Sequence, residues 1–248
     1  MLDGSFPEER VYRLFADGNT GLVFNLSESM LHTSDGVLGN DLSWVYGQVN
    51  TWHDLLLNGR INWLVVVLHP YGAHQLWNVP AAEWKDQFFP ARLVLGSSTD
   101  QLTEQLMQKK SVKERIELLN AFLLQQMMHQ TRPDPLVMQA IQLIHAKEGM
   151  MSVQLLLQQL KMNERTLERK FKQQTGISPK HYSGIVRVNV SARRLLKVPR
   201  NAKLTELAYD ADYYDQAHFI RDFRKYTGIT PQQYQRSAES LALNFFKL

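Results

Sequence analysis

The stretch LERKFKQQTGISPKHY, Leu167–Tyr182, is echoed 52 positions later by FIRDFRKYTGITPQQY, Phe219–Tyr234. Leu167, Arg169, Phe171, Gly176, Pro179 and Tyr182 recur in register as Phe219, Arg221, Phe223, Gly228, Pro231 and Tyr234. Upstream, SVQLLLQQLKMNERTLERKF (Ser152–Phe171) matches KLTELAYDADYYDQAHFIRDF (Lys203–Phe223), one residue longer in its turn. Each copy reads as a short apolar helix, a tight turn, and a second helix capped at its start by Asn163 or Asp215. The glycines end these second helices in the left-handed conformation, and a proline opens the next helix. The duplicated unit is two helices joined by a three- or four-residue turn, the arrangement that sets its second helix into a DNA major groove.

Helical periodicity assigns faces. Leu167 and Phe171, four apart, pack inward, which turns Arg165, Glu168, Arg169 and Lys172 outward. In the second copy Phe219 and Phe223 are buried, and Ala217, Ile220, Arg221 and Arg224 face out with Gln216 and His218 beside them. Arginine suits bidentate contact with guanine and glutamine with adenine. Lys170, Lys172, Lys180, Arg224 and Lys225 are the phosphate candidates. Between the copies Pro179–Leu196 reads as one helix, a rod of roughly 27 Å, so two readers at its ends could enter adjacent turns of one duplex.

Charge follows the repeat. Lys161–Arg236 holds 16 Lys or Arg against 7 Asp or Glu, while the rest of the chain is acidic by five charges. A basic block beside an acidic remainder points to a polyanion-binding module attached to something with another task. Cysteine is absent, which removes disulfides, thiolate metal sites and cysteine nucleophiles. WLVVVL (Trp63–Leu68), the longest apolar run, is too short to span a bilayer, and the N-terminus lacks a secretion signal, so a cytoplasmic protein with no membrane partner is expected.

From Leu14 to about Leu95 the pattern favours strands and turns: GLVFNLS and INWLVVVLH are rich in β-branched and aromatic residues, with ADGN, SDG, GND, LNGR and HPYG between runs. After Ser97 the period becomes helical, with a break near Ser111, where Ser111 and Glu114 form a capping box. The expected layout is α+β: a β-rich regulatory domain over 1–97, a helical connector packed on it over 98–130, a linker at 131–135, an all-α double helix-turn-helix domain over 136–236, and a tail at 237–248.

The C-terminal hundred residues closely resemble the AraC/XylS class of bacterial transcription regulators, whose DNA-binding domain is two helix-turn-helix units joined by a long helix. The matching text is NERTLERKFKQQTGISPKHY, RVNVSARRLL and ELAYDADYYDQAHFIRDFRKYTGITPQQYQR. The resemblance implies base contacts from Arg165, Glu168 and Arg169 in the first unit and from Gln216, Ala217 and Arg221 in the second. The family usually has Ala and Gly where this chain has Leu157 and Lys161, and Gly-Phe where it has Asp212 and Tyr213. The N-terminal half resembles a β-rich sensor-like domain found ahead of this pair in some such regulators, through FADGNTGLVFNLS, VYGQ, VVVLHPYGAHQLWNVPAAEW and ERIELLNAFLL. The chain is expected to begin inside that domain, with its first strand short or missing.

The implied function is regulation of transcription from a bipartite DNA site, under an effector at the N-terminal domain. Trp44, Trp52, Trp63 and Trp77 are the effector-pocket candidates; packing of a small sheet is their competing use. An architectural DNA binder without effector, or a regulator gated by a protein partner through Val112–Met127, are the alternatives. Double-stranded DNA is the partner expected, with room for RNA polymerase, a small effector and a second copy of the chain. No enzymatic role is expected. Nor is any metal or cofactor, because His53, His69 and His74 share no ligand spacing.

Overall fold

The computed structural model describes residues 1–27, 31–33, 36–37, 41–78, 80–127, 132–199, 203–237 and 240–248. Its N-terminal half is an antiparallel sheet built around one long strand. Strand β1 spans Leu2–Phe15, β2 Thr20–Asn25, β3 Leu31–Thr33, β4 Gly36–Val37, β5 Ser43–Tyr46, β6 Trp52–Leu68 and β7 Phe88–Pro90. β6 pairs with β1 along one edge, from Leu2↔Trp63 to Phe15↔Trp52, and with β3 and β2 in turn along the other. The strand on which this chain opens is therefore long, 14 residues. It was hidden from sequence by Pro7, Glu8 and Glu9, which have no partners on β6: register runs Phe6↔Gly59, then Arg10↔Leu57. Such an irregularity accepts a proline that a regular ladder would reject.

Alternation along the strands gives the sheet two apolar faces. Val23, Trp44, Tyr46, Leu55, Leu57, Ile61 and Trp63 cluster on one. Leu22, Phe24, Val45 and Leu64 face the other way, onto helices α1 (Gly72–Trp77), α2 (Ala91–Leu95), α3 (Ser98–Gln108) and α4 (Val112–Met127). The break near Ser111 is present between α3 and α4. There Glu114 N–H donates to Ser111 Oγ at 3.2 Å and Ser111 N–H to Glu114 Oε2 at 3.0 Å. The connector's end and Thr131 lie outside the described residues. Asp134 and Pro135, expected in the linker, are the N-cap and first residue of α5 (Pro135–Ala146).

The helices α6 (Val153–Leu160), α7 (Glu164–Thr175), α8 (Pro179–Leu195), α9 (Leu204–Asp210), α10 (Gln216–Thr227) and α11 (Pro231–Arg236) come next. The segment read as a tail then returns to the sheet. β8 (Ser240–Ala242) and β9 (Phe245–Lys247) form a hairpin, and β9 pairs with β1 from Tyr12↔Lys247 to Leu14↔Phe245. The sheet order becomes β7-β5-β2-β6-β1-β9-β8, with β3 beside β6 and β4 beside β3. The helical half is thus tied back to the sheet through its C-terminal end.

One apolar core runs through that junction, joining Phe15, Ala16, Val49 and Phe246 to the helical residues Phe171, Tyr182, Ile185, Phe223 and Tyr234. Polar bonds fix the fit: Asn189 Nδ2 donates to the Ala16 carbonyl at 2.7 Å, and His181 Nε2 to that of Asn50 at 2.9 Å. Burial holds the His181 imidazole below its ordinary pKa, consistent with a neutral ring donating from Nε2. Gly18 lies so close to the Tyr182 ring that a Cβ there would come within 2.9 Å of it. Among the described residues no helix is long and apolar enough to cross a membrane.

Candidate nucleic-acid interface

Five positions of the duplicated phrase acquire a physical role. Thr175 Oγ1 donates back to the Phe171 carbonyl at 2.8 Å, as Thr227 Oγ1 does to that of Phe223 at 2.8 Å. Gly176 and Gly228 then take φ of 80° and 74° and cap their helices. Ser178 and Thr230 cap the next helices through the amides of His181 and Gln233, with Pro179 and Pro231 at the first helical turn. Tyr182 and Tyr234 are fully buried. The phrase is the exit of each recognition helix, and the hydroxyls of Thr175 and Thr227 are the part that sequence reading missed.

The entries are equally matched. Asn163 Oδ1 accepts from the Thr166 amide at 2.9 Å and Asp215 Oδ1 from that of His218 at 2.6 Å. In both turns the family's glycine position is left-handed here without glycine, at Lys161 (φ 52°) and Asp212 (φ 57°). Aspartate tolerates this region better than lysine. Lys161→Gly is therefore expected to stabilise the protein by about 0.5–1 kcal/mol and Asp212→Gly by about half that or less, measured by equilibrium denaturation. Loss of stability in Lys161→Gly would show that the first turn carries no strain.

Leu167, Phe171, Phe219 and Phe223 are buried, as periodicity requires. On α7, Arg165, Arg169 and Lys172 are exposed and Glu168 is half-buried; on α10, Ala217, Arg221, Arg224 and Lys225 are exposed. Each recognition helix therefore offers solvent a basic face, and Lys180 adds an exposed ammonium at the start of α8. Two candidates are engaged elsewhere. Lys170 Nζ sits 2.5 Å from Asp134 Oδ2, clamping α7 to the cap of α5. Burial opposes ionisation of that carboxyl, but Lys170 and the Leu136 and Val137 amides hold it below its ordinary pKa. Gln216 Oε1 accepts from Thr205 Oγ1 at 2.7 Å, a bond that uses its acceptor and not its N–H donors.

α10 is locked to the rod α8. Arg187 Nη2 donates to Asp222 Oδ2 at 3.0 Å, its guanidinium lies 4.1 Å from the Tyr213 ring centroid, and Tyr213 Oη reaches the same carboxylate at 3.3 Å. Arg194 bonds Glu148 and the Asp210 carbonyl, bracing α8 against the turn after α5 and the end of α9. These cross-links fix where the second basic face stands relative to the rod.

The sheet's inner face encloses an apolar cavity of about 260 Å³. Trp44 and Trp63 line it; Trp52 and Trp77 do not. Strand parity explains Trp52: the inward side chains of β6 are Leu55, Leu57, Ile61, Trp63 and Val65, all odd-numbered, and Trp52 instead lies under the Arg13 guanidinium at 3.9 Å. Trp77 belongs to α1 and stacks on Trp84 at 5.5 Å on the opposite face of the sheet. Three further lining residues, Ala242, Asn244 and Phe245, come from the C-terminal hairpin, and Asp17 comes from the β1–β2 turn.

A family profile described as a helix-turn-helix domain matches residues 156–237, and one described as a domain of unknown function (DUF6597) matches residues 2–90. The HTH-type transcriptional activator RhaS of Escherichia coli is 33% identical over 82 residues, 33% of this chain and 29% of that protein. The match therefore spans under a third of that relative's length. Over 94% of this chain and 96% of the other, the fold is similar to that of ToxT from Vibrio cholerae, with a TM-score of 0.52 at 10% identity. A ToxT structure described as unsaturated fatty acid bound aligns over 94% of this chain and 92% of its own, with a TM-score of 0.50 at 11% identity. The paired units, their shared caps and the match over residues 156–237 agree: the C-terminal helices form a helix-turn-helix domain of the kind the AraC/XylS resemblance implies, with an antiparallel β domain ahead of it.

Proposed function

We propose that this protein is a sequence-specific transcription regulator that reads a bipartite site, with α7 and α10 in successive major grooves of one duplex. The observation that carries this reading is the duplicated unit with exposed arginines, Arg165 and Arg169 on one recognition helix and Arg221 and Arg224 on the other. The rod α8 has 17 residues, about 26 Å at 1.5 Å each, against the roughly 34 Å between successive major-groove faces. Arg165, Glu168 and Arg169, and Gln216, Ala217 and Arg221, would face bases; Lys172, Lys180, Arg224 and Lys225 would hold phosphates and set register. Lys170 serves the fold instead, through Asp134.

Control by a small effector in the β domain is the second part of the proposal. It is supported by the apolar cavity and by its walls, which include both the β1–β2 turn against α8 and the hairpin after α11. A structural neighbour described as fatty acid bound gives the fold a precedent for holding a small molecule. A second reading, control by a protein contact, is favoured by the exposed Val112, Ile116, Leu124 and Met127 on α4.

Selection of binding sites from random duplexes, combined with footprinting, tests the DNA reading. Two protected blocks about one helical turn apart on one face are expected. A single block, or binding with no enriched sequence, would leave an architectural binder as the better description.

A further inference from the structure

The cavity holds one charged side chain among its described lining residues, that of Asp17, in walls otherwise apolar or aromatic apart from Asn244 and the terminal residue Met1. Asp17 Oδ1 accepts from the Asn19 amide at 2.9 Å and Oδ2 from Asn19 Nδ2 at 3.2 Å, which shapes the β1–β2 turn. Among the described residues no lysine or arginine forms an ion pair with it. Its charged and titratable surroundings are Arg193 and Tyr182 of α8 and Tyr46 of β5. Burial pushes its carboxyl above the ordinary value, with Asn19 and Arg193 opposing. An ionised carboxylate without an ion-pair partner in an apolar wall is costly unless it takes up a proton or something of opposite charge joins it.

We infer that the cavity takes an organic monocation, a molecule of about one ring with one amine or quaternary ammonium, held by Asp17 as counter-ion between Trp44, Tyr46, Trp63 and Phe88. This rests on the effector reading above and names the class of ligand. Size supports it: about 260 Å³ exceeds the roughly 150 Å³ that accommodates benzene. Charge supports it too. An anion would meet the Asp17 carboxylate, and a wholly neutral ligand would leave it unpaired. An ammonium gains both the carboxylate and the aromatic walls in a site of low dielectric. Asp17 also lies between Ala16, whose carbonyl accepts from Asn189 of α8, and Gly18, which touches Tyr182 of α8. Pairing at Asp17 therefore reports to the rod that carries both recognition helices.

The test is titration of the full chain with 2-phenylethylamine, 2-phenylethanol and phenylacetate, three probes of one ring size and different charge, by calorimetry and tryptophan fluorescence. The amine is expected to bind about tenfold or more tightly than the alcohol, and phenylacetate to bind weakest. Asp17→Asn keeps an acceptor for the Asn19 amide and should erase the amine's advantage while leaving the alcohol's affinity unchanged. Ala242→Leu, which narrows the cavity without touching Asp17, should weaken all three and guards against a misfolded Asp17→Asn protein. If phenylacetate or the alcohol binds as tightly as the amine, or the amine's advantage survives Asp17→Asn, the assignment of ligand class is overturned while control through this cavity stands. If none of the three binds at millimolar concentration, both the ligand class and effector control through this cavity fall, with the DNA reading untouched.

Discussion

Replacing Phe246 by alanine is expected to lower the free energy of unfolding by about 3–5 kcal/mol, although the residue is third from the end of the chain. A terminal segment usually tolerates change because it buries little. Here Phe246 is 1% exposed, with ring centroids 6.0 Å from Phe15 and 5.4 Å from Tyr234. It stands where the sheet, the turn after β1 and the last helix meet. The Tyr234 hydroxyl also donates to the Leu243 carbonyl at 2.8 Å, so the hairpin and α11 hold each other from both sides. Removing the ring leaves a cavity between two halves of the molecule, and the pairing of β9 with β1 prevents it from closing. Equilibrium denaturation monitored by tryptophan fluorescence measures the loss, because all five tryptophans lie between Trp44 and Trp84, in the β half. A change under about 1 kcal/mol would mean that the hairpin does not rest on the sheet in solution.

The helical half was legible because its signals are local. Period, caps, glycine stops and proline starts all act within a few residues, and the 52-residue echo supplied two readings of each. Even the family's displaced glycines, at Lys161 and Asp212, fell on left-handed residues. The β half was legible only in part. Its first strand is interrupted by Pro7 and two glutamates, and its last two strands come from the far end of the chain, where no local pattern announces a partner. Trp52 and Trp77 were grouped with Trp44 and Trp63 by residue type alone; strand parity along β6 separates Trp52 from Trp63, and that parity is readable in sequence once a continuous strand is assumed. Lys170 and Gln216 are a different matter. Their partners, Asp134 and Thr205, are set by packing across 36 and 11 residues, which periodicity does not encode.

Combining Arg169→Ala with Arg221→Ala is expected to weaken binding to the selected DNA site by about 2–6 kcal/mol, roughly 30-fold to 10⁴-fold. Each arginine stands exposed on its own recognition helix, one per unit, and among the described residues no ion pair links the two. Losses at separated half-sites add, so each single variant should show about 1–3 kcal/mol and relaxed preference at one base position of its own half-site. Lys172→Ala provides the contrast. A phosphate contact carries no sequence information, so its loss should weaken all duplexes alike and reduce the salt dependence by about one counterion. Lys170→Ala should instead lower stability and leave that slope unchanged, because its charge is already spent on Asp134. If the double variant binds within twofold of the parent and selects the same sequence, the bases are read by other residues, and the outward faces of α7 and α10 are not the readers. If one single variant matters and the other does not, one recognition helix reads alone, and the rod α8 then serves to position a unit that grips only the backbone.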